Sequence, residues 1–142
     1  MGKVKIGPAS GVFLDHARLR GADFSGRELT YFGAHGSRLE ACRFEDTRIE
    51  SGSFGAGREM SEYVECSFDG ARIWFVPGGY ARFVRCSLRN AELYDWFCFA
   101  VEMVDCIFSG RIVKSVFNGT VPKDDRRAVR RERNEFHGND FS

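Results

Sequence analysis

The sequence predicts an all-β protein, a square-sectioned parallel β-solenoid of about five coils, and three regularities support this fold class. Large apolar residues recur in a five-residue frame: Leu14, Leu19, Phe24, Leu29, Leu39, Phe44, Ile49 and Phe54. A small residue stands two positions before many of them: Ala17, Ala22, Ser37, Cys42, Thr47 and Gly52. A longer period appears in four cysteines, of which the last three are twenty residues apart: Cys42, Cys66, Cys86 and Cys106. A fixed period of this length indicates a repeat architecture.

The five-residue period follows from the alternation of side chains in an extended chain. The apolar residue and the small residue two positions earlier point to the same face. Five residues are too few for a strand and a hairpin, but they suit a short strand and a corner, repeated four times per coil. If coils stack at the strand spacing of about 4.8 Å, the backbone N–H and C=O groups of each coil can form hydrogen bonds with the next coil.

The cysteines and their apolar partners are predicted to form one structural core column inside the solenoid. Metal binding requires ligands that converge on one ion, whereas stacked cysteines about 4.8 Å apart do not converge. Five cysteines without a CxxC pair favour free thiols in a reducing compartment. We therefore expect small buried residues in this column: Cys42, Cys66, Cys86 and Cys106, beside Phe24, Phe44, Phe68, Leu88 and Phe108.

Two breaks in the period divide the chain. The frame gains about four residues in a loop insertion at 57–65 and loses one near Arg111. Residues 1–11 form a lead-in, and the repeats occupy 12–118. Residues 119–135 break the pattern after Pro122 and are predicted to form a basic excursion, helical or irregular, before the pattern resumes at 134–142.

Several stretches resemble the pentapeptide-repeat family, whose loose motif is A(D/N)LXX: LRGADFSGREL, CSFDGARI, CSLRNAEL and NEFHGNDFS. The resemblance covers residues 12–118 and 134–142, and many copies agree in phase. It implies a right-handed quadrilateral parallel β-helix. The repeat stops abruptly at Ser142, so we expect either a longer solenoid of which this is the first part or ends that cap by self-association.

Composition excludes several classes of function. The 142 residues include 21 basic and 20 acidic residues, a net charge of +1, so no overall field favours nucleic acid or an anionic membrane. The N-terminus lacks the apolar segment of a secretory signal, and no stretch is long enough to span a membrane. A cytoplasmic protein without membrane contact is the expectation.

The sequence shows no catalytic motif. GxSxG, HExxH, Walker and CxxC patterns are absent, and the histidines His16, His35 and His137 have no partner at a recognisable spacing. Surface or corner positions explain these histidines. The prediction is a protein that is not an enzyme and that has no catalytic, cofactor-binding or metal-binding residues.

Aromatic residues are the most informative surface feature. Trp74 and Phe75 follow Ile73 and are predicted at an outward corner, with Tyr31 and Tyr94 nearby and Phe97 on the next wall. Trp96 falls at a small inward position, where we expect it to fit only with distortion. Exposed aromatic residues often mark an interface, although the excursion at 119–135 would also cover them. The candidate partner-binding residues are Trp74, Phe75, Tyr94 and Phe97, with Glu62 and Tyr63 from the insertion.

The leading prediction is a non-catalytic module that binds an unidentified protein partner through its outer walls, with homodimerisation through an end or a wall as a further arrangement. The resemblance implies an alternative, because some pentapeptide-repeat proteins mimic DNA and protect DNA gyrase or topoisomerase IV. The neutral charge and outward arginines such as Arg43, Arg48, Arg72 and Arg111 depart from an acidic mimic. Nucleic-acid binding through 126–133 ranks lowest, because acidic residues are interleaved with the arginines.

Overall fold

The computed structural model describes residues 3–6, 11–76, 79–98, 100–117 and 136–140 and confirms the predicted β-solenoid of about five turns. The predicted excursion at 119–135 lies outside the described residues. The strands are β1 (Lys3–Ile6), β2 (Gly11–Asp15), β3 (Arg18–Arg20), β4 (Glu28–Leu29), β5 (Tyr31–His35), β6 (Arg38–Glu40), β7 (Arg48–Ser53), β8 (Ser61–Val64), β9 (Arg72–Phe75), β10 (Tyr80–Val84), β11 (Ser87–Tyr94), β12 (Phe97–Cys98), β13 (Ala100–Val104), β14 (Ile107–Val113), β15 (Val116–Phe117) and β16 (Phe136–His137).

Each coil passes through four walls. Wall one contains β2, β5 and the end of β7, and wall two contains β3, β6, β8, β10, β13 and β16. Wall three consists of parallel bridges such as Asp23 to Arg43 and Arg43 to Ser67. Wall four contains β4, the start of β7, β9, and the second halves of β11 and β14. These strands pair in parallel with the next coil, and β1 pairs antiparallel with β2 at one end of wall one.

The interior is filled by stacked aromatic and aliphatic side chains. Phe24, Phe44 and Phe68 stack with ring centroids 5.0 and 4.8 Å apart, and Tyr63 stacks on Phe83 at 4.7 Å. All nine residues of the predicted core column are buried, including the four cysteines. Their burial supplies the apolar contact that the isolated five-residue strands lack.

A ladder of side-chain hydrogen bonds accompanies the core at the corner between walls two and three. Three of the four thiols donate to a carbonyl of the preceding coil: Cys66 to Leu39 at 3.5 Å, Cys86 to Tyr63 at 3.2 Å, and Cys106 to Phe83 at 3.4 Å. Asn139 occupies the next position, where its Nδ2 donates to Met103 O at 2.9 Å and its Oδ1 accepts from Cys106 N. The small column is therefore also a column of hydrogen-bonding groups.

Left-handed backbone conformations turn the chain at this same corner. The residue before each small residue has a positive φ in every coil: Gly21, Ala41, Glu65, Arg85, Asp105 and Gly138. Four of these six are not glycine, although a side chain disfavours this conformation. Backbone hydrogen bonds between coils repeat at this corner and stabilise its conformation, for example from Gly21 N to Glu40 O at 2.9 Å.

The loop at the insertion is shorter than the sequence predicts, although the predicted gain of about four residues is confirmed. Of the residues 57–65 assigned to a loop, 61–64 form β8 and pair with β6 and β10. Ser37 and Ser61 occupy equivalent positions, since Ser37 N donates to Ser61 Oγ at 3.1 Å. The extra residues therefore precede Ser61, at the corner between walls one and two.

The outward placement predicted for Phe75 is wrong, because the register shifts by one residue in the preceding strand. Ile49 pairs with Ile73, but Gly52 pairs with Phe75, so three residues of one coil face two of the next. Phe75 thereby turns inward and is buried, whereas Val76 is exposed.

The same shift explains Trp96, which fits the interior although the sequence predicts distortion. Its ring lies flat on Phe75, with centroids 4.3 Å apart and an angle of 3° between the planes. Gly52 leaves room for Phe54, whose ring packs against Phe75, since a Cβ at Gly52 would meet Phe54 Cε2 at 2.9 Å. A second shift, between Leu88 and Ala91, matches the residue predicted to be missing near Arg111.

Candidate functional site

The predicted partner-binding residues separate into outward and inward groups. Trp74, Tyr94, Phe97 and Glu62 are partly exposed, whereas Tyr63 is fully buried, as Phe75 is. Tyr63 lies in β8 and donates its hydroxyl to Phe54 O at 2.7 Å, and burial raises its pKa well above the ordinary value. Its predicted place on a projecting loop is wrong because the insertion ends before β8.

Three outward side chains stack on wall four, and we call Arg48, Trp74 and Tyr94 the aromatic column. The rings of Trp74 and Tyr94 lie 4.7 Å apart with an angle of 9° between their planes. The guanidinium carbon of Arg48 lies 4.6 Å from the Trp74 ring centroid, within the range of a cation–π interaction. Parallel pairing of β9 with β11 sets Trp74 directly beside Tyr94.

Charged residues form a hydrogen bond and an ion pair along one side of the aromatic column. Glu92 accepts a hydrogen bond from the Tyr94 hydroxyl at 3.1 Å and pairs with Arg72 at 3.2 Å. Arg72 also lies in register with Arg48 of the preceding coil. A groove of about 380 Å³ runs beside these arginines, and its other lining residues are Gly26, Glu28, Asp46, Thr47 and Gly70. The surface therefore combines a flat aromatic face with two neighbouring cations.

The charged columns of the described walls contain both signs. On wall two, Arg38 pairs with Glu62 at 3.2 Å, and Arg82 pairs with the buried Glu102 at 2.9 Å. On wall three, Arg43 pairs with Glu45 at 2.6 Å and lowers the pKa of that carboxyl. None of the charged columns in the described part of the chain is purely acidic.

A second cluster lies at the corner between walls one and two, and we call Asp15, His16, His35 and Glu59 the histidine corner. Asp15 Oδ1 contacts His16 Nδ1 at 2.7 Å and His35 Nδ1 at 3.4 Å. Glu59 Oε2 contacts His16 Nε2 at 2.5 Å, and the two imidazole centroids are 4.8 Å apart. The sequence-based expectation that these histidines have no partners is wrong.

Both carboxylates favour the protonated form of His16. The hydrogen bond to Glu59 and then the hydrogen bond to Asp15 raise the pKa of His16 above its ordinary value. In this state both ring nitrogens of His16 donate hydrogen bonds, so the imidazole connects the end of β2 to the inserted residues.

One part of the histidine corner has a signal in the sequence. Asp15 and His35 are separated by twenty residues, which is the coil length, and they pair directly in the parallel register of β2 and β5. The contribution of Glu59 has no such signal, because it lies within the insertion and outside the repeat.

Four cysteines line the interior of the solenoid. Cys42, Cys66, Cys86 and Cys106 are free and buried, and burial raises the pKa of the Cys86 thiol. The raised pKa disfavours the thiolate of Cys86, which is the form that attacks electrophiles and binds metals. Cys98 lies in β12.

No protein-family model matches the chain, and a search of the curated proteins finds no match. No helix among the described residues is long and apolar enough to cross a membrane. The structure therefore shows a β-solenoid with two surface clusters, the aromatic column on wall four and the histidine corner between walls one and two.

Proposed function

We propose that this chain is a non-catalytic protein-interaction module of the pentapeptide-repeat type, and that it binds a protein partner through the aromatic column. The observation that carries the proposal is the stacked arrangement of Arg48, Trp74 and Tyr94 on a rigid wall. Tryptophan, tyrosine and arginine are the residues that contribute most to binding energy at protein interfaces.

The fixed geometry of the column supports binding. Both aromatic residues lie in strands that pair with neighbouring coils, and Glu92 holds the Tyr94 hydroxyl. Side chains that are already ordered lose little conformational entropy on association. The neighbouring Arg48 and Arg72 favour a partner that presents a carboxylate beside an apolar side chain.

The mixed charge of the described walls favours a protein partner over DNA mimicry. A mimic of duplex DNA requires a continuous acidic surface, whereas arginines and carboxylates share the same columns along walls two and four. Binding to DNA gyrase or topoisomerase IV is the alternative proposal. The buried free thiols support a reducing compartment, and we propose the cytoplasm.

The test is affinity capture with the double variant Trp74→Ala/Tyr94→Ala, followed by a binding titration with each partner captured by the wild-type chain. Loss of two central aromatic residues should weaken binding at least roughly 30-fold, because each such residue typically contributes about 2 kcal/mol. Tyr31→Ala is the matched control, since Tyr31 is a partly exposed aromatic residue on wall one that stacks on Phe13.

Two results would contradict the proposal. One is equal binding by the double variant and the wild type, with both folded by circular dichroism. The other is inhibition or protection of gyrase in a supercoiling assay by both proteins alike, which would favour the alternative and a different surface.

A further inference from the structure

The histidine corner brings three potential metal-ligating atoms close together. Asp15 Oδ1, a nitrogen of His16 and a nitrogen of His35 all lie within 4.8 Å of one another. In a tetrahedral site with metal–ligand distances near 2.0–2.1 Å, neighbouring ligand atoms are about 3.3 Å apart. The separations from Asp15 Oδ1, 2.7 Å to His16 Nδ1 and 3.4 Å to His35 Nδ1, bracket that value.

Glu59 occupies the position of an orienting carboxylate. It contacts Nε2 of His16, the nitrogen that faces away from Asp15. Histidines that bind a metal through one nitrogen usually donate the other N–H to a carboxylate, which fixes the ring and increases its basicity. The contact to Glu59 therefore fixes the ring of His16, and a metal ion that binds Nδ1 would displace the proton that Nδ1 donates to Asp15.

The backbone at this corner leaves the space that the cluster occupies. A Cβ at Gly36 would meet Glu59 Oε2 at 2.7 Å, and a Cβ at Gly57 would meet His35 Cδ2 at 2.5 Å. Both glycines also have a positive φ, 53° and 78°, which disfavours a side chain. Glycines at these two positions thus let the inserted residues approach both imidazoles.

We propose that Asp15, His16 and His35 bind a first-row transition-metal dication such as Zn²⁺, with Glu59 as the residue that positions His16. Two imidazoles and one carboxylate suit Zn²⁺, Co²⁺, Ni²⁺ or Cu²⁺, whereas Mg²⁺ and Ca²⁺ prefer oxygen ligands alone. The side chains of Asp15, His16 and His35 are 43, 48 and 30 % exposed. A fourth coordination position is therefore open to water or to a ligand atom from a partner.

The site is independent of the aromatic column, because it lies at a different corner and uses different residues. A failure of one proposal leaves the other untouched. Metal binding would also tie β2, β5 and the insertion together, since the ligands and Glu59 come from three successive coils.

The experiment uses the full chain, treated with a chelator and then titrated with Co²⁺ and Zn²⁺. We expect one equivalent of Co²⁺ to give the visible absorption of a nitrogen- and oxygen-ligated ion, and Zn²⁺ to displace it. His16→Ala and His35→Ala should each lower the affinity at least 10-fold. Glu59→Gln should lower it by about 10- to 100-fold, the usual effect of removing an orienting carboxylate.

The control variant is His137→Ala, which removes the third histidine of the chain and should leave affinity unchanged. Circular dichroism of each variant confirms that it is folded. Absence of one-to-one binding to the wild type at 100-fold molar excess of Zn²⁺ would overturn the proposal. So would equal affinity in folded His16→Ala, or a cobalt–thiolate charge-transfer band, which would place the ion on cysteine.

Discussion

Two corners of the same solenoid behave differently. The corner between walls two and three repeats its backbone conformation and its hydrogen bonds in every coil, from Gly21 to Gly138. The corner between walls one and two varies, with His16 in one coil, Gly36 in the next and the insertion at 57–60 in the third. Regularity at one corner holds the coils in register, and this leaves the other corner free to change.

The difference has a physical origin in the cysteine ladder. The thiols of Cys66, Cys86 and Cys106 each donate a hydrogen bond to a carbonyl of the coil before them. An extra residue at their corner would therefore break the hydrogen bonds to both neighbouring coils. At the histidine corner the extra residues project outward, and pairing resumes at Ser61 through its hydrogen bond with Ser37 N. Inserted residues and surface clusters are therefore found at the corner where the serine hydrogen bonds restore the pairing between coils.

The largest effect should come from the core beside the cysteine corner. Phe44→Ala removes a fully buried ring that stacks between Phe24 and Phe68, and it should lower the free energy of unfolding by about 3–5 kcal/mol. Urea denaturation followed by circular dichroism measures this. Val76→Ala is the control, because Val76 is 41 % exposed and should change stability by no more than about 0.5 kcal/mol. Equal values for the two variants would contradict the packing described for the core.

An intermediate effect should come from the ladder itself. The backbone N–H of Cys42 donates to Cys66 Sγ, so Cys66→Ala leaves a buried donor unpaired and should cost about 1–3 kcal/mol. Cys66→Ser should cost less, since Ser37 Oγ and Ser61 Oγ accept the equivalent N–H groups at the other corner. The same denaturation measurement ranks the two variants. A serine variant less stable than the alanine variant would show that sulfur packing outweighs the hydrogen bond.

The smallest effect should be local to the histidine corner. In metal-free protein, Glu59→Gln removes the largest cause of the raised pKa of His16, and that pKa should fall toward the ordinary histidine value. Because the folded pKa is raised, the interaction between His16 and Glu59 is fully present below the ordinary value and is lost as pH rises through the folded pKa. An NMR titration of the ring protons measures both values. An unchanged pKa would mean that Glu59 does not contact His16 in solution.

The period predicted the regular parts of the fold and located the insertion and the residue missing near Arg111, but it missed the shift at Gly52 and the contact of Glu59. Phe44 and Cys66 follow directly from the five-residue frame, because every coil must fill the same interior in the same way. The inward turn of Phe75 depends on a one-residue shift against Gly52, which no local pattern marks. Glu59 reaches His16 from an inserted segment, so its position is set by tertiary contacts rather than by the repeat.

For the candidate sites, the sequence predicted that Trp74 and Tyr94 face outward near one corner but could not show that they stack. Their contact depends on the pairing of β9 with β11, which brings residues twenty apart into register. Asp15 and His35 were detectable in principle by the same spacing. In a chain of this type, outward residues that are one coil length apart in the sequence are therefore the best candidates for surface clusters.

The identical turns at the cysteine corner make each coil an interchangeable unit. A coil bounded by Cys66 and Cys86 presents the same ladder of donors and acceptors at both of its faces. Duplicating those twenty residues would lengthen the rod by one strand spacing, about 4.8 Å. The added coil would carry a second copy of Trp74, so the aromatic column would gain one more ring while the histidine corner kept its place.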